Sequence, residues 1–125
     1  MATIIRQSYI DKIERYLGKE TIIVLVGQRR VGKSCMMKMI RDRKKADDCN
    51  NIIFIDKEKR EFDNIQTYQD LNDYIREHFL SDKHNYILID EIQDIKEFER
   101  SIRSYRTGPN TDIIITGSNA RMLSN

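Results

Sequence analysis

The chain has 125 residues, 39% of them hydrophobic and 34% charged, with a formal net charge of +2. That length suits one domain with a modest core, and the mixture excludes a disordered polypeptide. No apolar run approaches the roughly 20 residues that cross a bilayer, and no basic segment followed by an apolar one opens the chain as a signal peptide would. The near balance of charge argues neither for nor against a nucleic-acid partner. Cys35 and Cys49 form no metal or disulfide pattern, which suits a reducing, cytoplasmic setting.

In chain order, residues 9–17 space Tyr9, Ile10, Ile13, Tyr16 and Leu17 by three and four, which predicts a short amphipathic helix ended by Gly18. Residues 21–26 are a continuous, largely β-branched run of the kind buried on both faces of a parallel sheet. A helix is expected from Ser34 onward, with Met36, Met39 and Ile40 on one face, dissolving into a polar surface connection over residues 41–51. A second buried-type strand spans residues 51–56, and residues 57–64 read as a charged loop. Tyr68, Leu71, Tyr74, Ile75, Phe79 and Leu80 make a helical stripe. Residues 86–90 form a third strand, and Phe98, Ile102 and Tyr105 mark another helix. A turn at Thr107, Gly108, Pro109 and Asn110 leads into a fourth strand over residues 112–116. Strands alternating with helices predict a single α/β domain with a parallel sheet and right-handed crossovers.

Between the first strand and the following helix stand Gly27, Gln28, Arg29, Arg30, Val31, Gly32, Lys33 and Ser34, a full match to G-x-x-x-x-G-K-[ST]. A loop that curls around a phosphate needs main-chain N–H groups pointing inward and an approach that a Cβ at Gly27 or Gly32 would obstruct. The helix start adds free donors and the positive end of its dipole. Lys33 is expected to reach the β- and γ-phosphates, and the Ser34 hydroxyl to ligate Mg²⁺. Cys35, next along, completes the expected nucleotide-binding run. Chance similarity is the competing explanation, and the strand before and helix after the motif argue against it.

The third strand ends in Asp90 and Glu91. Alternation along a strand implies that the two acids do not both enter the core. At the carboxyl edge of a parallel sheet they would face a bound nucleotide from different angles. Asp90 is expected to hold Mg²⁺ and Glu91 to orient and deprotonate the attacking water. The alternative is two solvated acids at an ordinary strand end. The fourth strand ends in Thr116, Gly117, Ser118 and Asn119. Thr116, with Ser118 second, is a candidate to sense the γ-phosphate or the water, against the plain reading of a glycine-containing turn.

Other residues carry less. Arg29 and Arg30 either assist with phosphates or face solvent. Arg100, Arg103, Arg106 and Arg121 are candidate arginine fingers toward a neighbouring subunit of a homo-oligomer, but solvated arginines are the safer reading. Cys35 reads as a small buried hydrophobe rather than a reactive thiol. Met36, Met37 and Met39 read as core filling, and His78 and His84 as surface residues.

Three stretches together resemble a prokaryotic group of AAA-like ATPases: residues 27–34, residues 88–93 (Leu-Ile-Asp-Glu-Ile-Gln) and residues 115–123 (Ile-Thr-Gly-Ser-Asn-Ala-Arg-Met-Leu). The resemblance runs in order over nearly the whole chain. It implies a three-layer P-loop NTPase core with strand order 1-4-3-2, ATP with Mg²⁺ as ligands, and an attached C-terminal domain. It also implies a fifth strand and a helical lid that these residues do not include, so the chain is expected to be an N-terminal fragment whose first strand lies at a sheet edge. The function so implied is ATP hydrolysis that drives conformational change in the attached domain or in a protein or DNA partner. The alternatives are a non-catalytic nucleotide-dependent binding module, and a P-loop kinase, for which no acceptor pocket is identifiable.

Overall fold

The computed structural model describes residues 22–26, 33–106 and 110–117, together with Arg15; the side chains of Val26, Lys33, Ser34 and Arg106 are outside that description. The helix predicted over residues 9–17 and most of the turn at residues 107–110 fall outside it as well. Four strands, β1 (Ile22–Val26), β2 (Asn50–Asp56), β3 (His84–Asp90) and β4 (Thr111–Gly117), form one sheet in the order β1-β4-β3-β2, parallel at each described pairing. Among the described residues, three α-helices accompany them: α1 (Lys33–Lys45), α2 (Tyr68–His78) and α3 (Phe98–Arg106). This is the α/β order expected of a P-loop NTPase core.

Alternation of side chains divides the core into two layers. Ile53 and Ile55 of β2, Ile87 and Ile89 of β3, and Ile113 and Ile115 of β4 point to the layer that holds Leu71, Ile75 and Phe98 of α2 and α3. Tyr86, Leu88 and Ile114 point the other way, against Met37 and Ile40 of α1. The central strands β3 and β4 are buried throughout or nearly so, which is why they read as unbroken apolar runs. At the edge, β1 is only partly covered, and Val24 is 42% exposed.

Several sequence expectations are corrected here. Helix α1 continues through Lys45 instead of dissolving at residue 41, because Arg43, Lys44 and Lys45 in its last turn complement the negative end of the helix dipole. Met36 and Met37 are buried, whereas Met39 is half-buried and Cys35 is exposed; the thiol lies on the outer side of the helix, not in the core. Helix α2 stops at His78, so Phe79 adopts an extended conformation and Leu80 is exposed. The charged loop at residues 57–64 contains a 3₁₀ turn, Arg60–Phe62, with Phe62 buried. The Lys57 ammonium ties this loop down by donating to the carbonyls of Phe62 (2.7 Å) and Ile65 (2.6 Å).

His84, expected at the surface, opens β3 and pairs through Nε2 with the fully buried Asp112 carboxylate at 2.5 Å. The chain reads as polar there, but a buried carboxylate needs a partner, and the imidazole on the adjacent strand supplies one. Next to it, the buried Asn85 side chain bonds the main chain of Leu80 and Lys83 and the amide of Asn51, closing the α2–β3 connection. These two residues extend β3 below the apolar run at residues 86–90.

Thr67 caps α2 with a reciprocal box: its hydroxyl accepts from the Asp70 N–H at 3.3 Å, and Asp70 accepts from the Thr67 N–H at 3.2 Å. Main-chain donors from Gln66 and then Thr67 hold the Asp70 carboxyl below its ordinary pKa. A depressed folded-state pKa means that the stabilisation is complete above the unfolded-state value and is lost as pH falls through the folded-state value. Thr67→Ala is therefore expected to cost about 1 kcal/mol in urea unfolding at neutral pH. Asp70→Asn should be less stable than the parent at neutral pH, the difference closing as the solution is acidified below the usual carboxylate range.

Candidate active site at the carboxyl end of the sheet

Side chains at Asp56, Asp90 and Thr116 fall on the same sheet face as Phe54, Leu88 and Ile114, the face on which α1 packs. All three lie at or beside the carboxyl ends of their strands, where open α/β sheets bind ligands. Residues 27–32 connect the carboxyl end of β1 to the amino end of α1. Of the expected phosphate-binding residues, Gly27, Gln28, Arg29, Arg30, Val31 and Gly32 are outside the described residues. Lys33 and Ser34 begin α1, with only their main chain described. Ser118 and Arg121 are also outside.

Asp90, Glu91 and Thr116 come together. The Thr116 hydroxyl donates to Asp90 Oδ1 in a short hydrogen bond and accepts from the Glu91 N–H at 3.0 Å. One fully buried hydroxyl thus bridges the end of β3 to the end of β4. Its proton is directed at Asp90, so the described geometry makes Thr116 a tie between the two acids.

The expectation that Asp90 and Glu91 would not both be buried is wrong: Asp90 is 0% and Glu91 3% exposed. Alternation fails because the strand ends at Asp90. Glu91 adopts a left-handed conformation, φ 60° and ψ 54°, which turns the chain out of the sheet and into the 3₁₀ turn Ile92–Asp94. For a residue with a Cβ this conformation costs on the order of 1–3 kcal/mol and persists only where the surroundings enforce it. Here the Thr116 bond to its N–H and the complete burial of Ile92 do so. The Glu91 carboxylate is itself held, Oε1 accepting from Gln93 Nε2 at 2.6 Å.

Two residues of this region were missed in the sequence. Asp56 is the register partner of Asp90 and is also buried, with Oδ1 accepting the Glu58 N–H at 3.0 Å. Its signal was available, since the second strand, like the third, ends an apolar run with an acid. Gln93 closes the stretch at residues 88–93 that carries the family resemblance, but no role was assigned to it there, and the 3₁₀ turn that folds it back is not legible in composition. Of the arginine candidates, Arg100 is engaged with Glu97 at 3.3 Å and lies over the Tyr68 ring, and Arg103 is exposed.

Asp56, Asp90 and Glu91 are thus buried at the carboxyl end of the sheet, but among the described residues no group of three or more His, Cys, Asp or Glu side chains is placed to hold a metal ion. The four parallel strands in the order β1-β4-β3-β2, with their helices, are the fold of a P-loop NTPase core. The chain belongs to the AAA domain family, whose pattern it matches over residues 19–125. It is 34% identical over 126 residues to an uncharacterized protein of Haemophilus influenzae, an alignment covering 98% of this chain and 32% of that protein. The described fold is similar to the crystal structure of Cdc6p from Pyrobaculum aerophilum, with a TM-score of 0.73 and 14% identity over 96% of this chain and 40% of that one. The chain therefore spans about a third of the length of its Haemophilus relative. Among the described residues, no helix is long and apolar enough to cross a membrane.

Replacing Thr116 with valine keeps the volume and removes the bridge. The buried Glu91 N–H and Asp90 carboxylate each lose a partner, and Thr116→Val is expected to destabilise the domain by about 1–3 kcal/mol. The midpoint of urea unfolding should fall with the slope unchanged.

Proposed function

We propose that this domain hydrolyses ATP in the presence of Mg²⁺ and passes the resulting conformational change to an attached domain or a partner. The observation that supports the reading best is the buried constellation of Asp90, Glu91 and Thr116 at the carboxyl end of β3 and β4 in an AAA-family domain. Two adjacent carboxylates in different settings suit two roles. Asp90, fully buried and hydrogen-bonded to Thr116, would hold the metal ion together with the hydroxyl of Ser34. Bound there, Mg²⁺ would neutralise charge on the β- and γ-phosphate oxygens.

Glu91, turned out of the sheet, is the general base. It takes a proton from water as the water oxygen bonds to the γ-phosphorus. The bond from that phosphorus to the bridging oxygen breaks, and ADP leaves with the electron pair. The loop of residues 27–34 would grip the phosphates through main-chain amides and the Lys33 ammonium. The buried pair favours hydrolysis over a purely binding role, because nucleotide binding alone has no need of a second acid beside the metal-holding one.

In the full-length protein, Glu91→Gln should lower phosphate release by roughly 10²- to 10⁴-fold, the range for loss of a general base. ATP affinity, read by calorimetry at millimolar Mg²⁺, should persist. Undiminished turnover in that variant would remove Glu91 from the mechanism. If the parent protein itself shows no turnover, with or without DNA, the domain is a nucleotide-dependent binding module instead. Lys33→Ala is expected to weaken triphosphate binding at least about tenfold, through loss of a charge-assisted contact.

A further inference from the structure

We propose that Gln93 is a positioning residue that fixes the carboxylate of Glu91 for proton transfer, an inference that rests on the hydrolytic reading above. Gln93 Nε2 reaches Glu91 Oε1 at 2.6 Å, a short contact for an amide donor to a carboxylate. The contact exists because of local backbone geometry. Left-handed Glu91 is followed by a 3₁₀ turn, closed by the Ile95 N–H on the Ile92 carbonyl at 2.9 Å, and this brings the side chain at position 93 back beside that of position 91. Ile92 between them is fully buried and anchors the turn in the layer of Leu71, Ile75 and Ile89. Glu91 is therefore gripped at both ends, by Thr116 at its N–H and by Gln93 at its carboxylate.

A glutamate side chain has several freely rotating bonds, so fixing it carries an entropic cost. A base that has already been fixed does not lose that freedom in the transition state, and misplacement by about 1 Å is enough to cost about a hundredfold in rate. The chemistry of the holder matters as well. The amide donates a hydrogen bond to Oε1 and carries no charge, so it orients the carboxylate without cancelling the negative charge that makes it a base. The bond uses Oε1, and the proton from water goes to Oε2.

The test is steady-state phosphate release by the full-length protein with Mg-ATP. Gln93→Met keeps the length and approximate volume of the side chain and removes the donor. It should lower kcat by about ten- to a hundredfold while KM for ATP stays within about twofold, the signature of an interaction used only in the transition state. The double variant Glu91→Gln/Gln93→Met should be no slower than Glu91→Gln alone, because residues acting as a unit do not add. A purely structural role would instead move KM and the melting temperature along with kcat. Should Gln93→Met fail to fold, Gln93→Leu, which is likewise uncharged and lacks the donor, is expected to give the same split between kcat and KM. An unchanged kcat in the folded Gln93 variants, with Glu91→Gln inactive, overturns the positioning role and leaves the hydrolytic reading standing. Activity surviving in Glu91→Gln overturns both.

Discussion

The hydroxyl of Thr116 is the point on which the rest of the site depends. It sits at the end of β4, wholly out of solvent, and it satisfies a carboxylate and a main-chain donor that the adjacent strand places in the same dry layer. Burying Asp90 and Glu91 side by side is unfavourable unless each finds a partner. A single side chain able both to donate and to accept meets much of that demand. It also requires β3 and β4 to be neighbours, so the strand order β1-β4-β3-β2 and the chemistry of the acids are linked. A β3 neighbour ending in an apolar residue would leave the pair without this tie.

The strands on either side serve the same arrangement. Register brings Asp56 level with Asp90, and the Lys57 N–H bonds the Asp90 carbonyl at 3.1 Å, fastening the end of β2 to the end of β3. Lys57 then spends its ammonium on loop carbonyls instead of pairing with the acids. At the opposite end of the sheet, the His84–Asp112 pair and the Asn85 network close the polar ends of β3 and β4. The apolar middle of the sheet is thus bounded by two polar layers, one structural and one arranged around the carboxylates.

Much of this was legible in the sequence because it depends on period and composition. The runs at residues 51–56, 86–90 and 112–116 could hardly be anything but buried strands, and Leu71 with Ile75 marked the inner face of α2. What was not legible depends on backbone geometry or distant partners. The burial of Glu91 follows from a left-handed residue that no composition rule assigns to glutamate. The half-buried position of His84 follows from its pairing with an aspartate far along the chain. Cys35 read as apolar, yet its place on the helix turned it outward. The acids at the ends of β2 and β3 were equally visible, but only register made Asp56 a neighbour of Asp90.

The connectivity of the sheet also sets an order of events during synthesis. Strands β2 and β3 are joined through α2, and β4 follows through α3, so these three pair across moderate separations as they leave the ribosome. Strand β1 emerges first, yet among the described residues its partner is β4, with Ile22 opposite Ile113, nearly the whole domain later. Closing so large a loop is entropically costly and comes late. Until then the leading strand is an exposed apolar segment open to capture by other chains. Strand β1 therefore reaches its final position only after β4 has emerged, and nascent-chain chaperones have their longest opportunity at that strand.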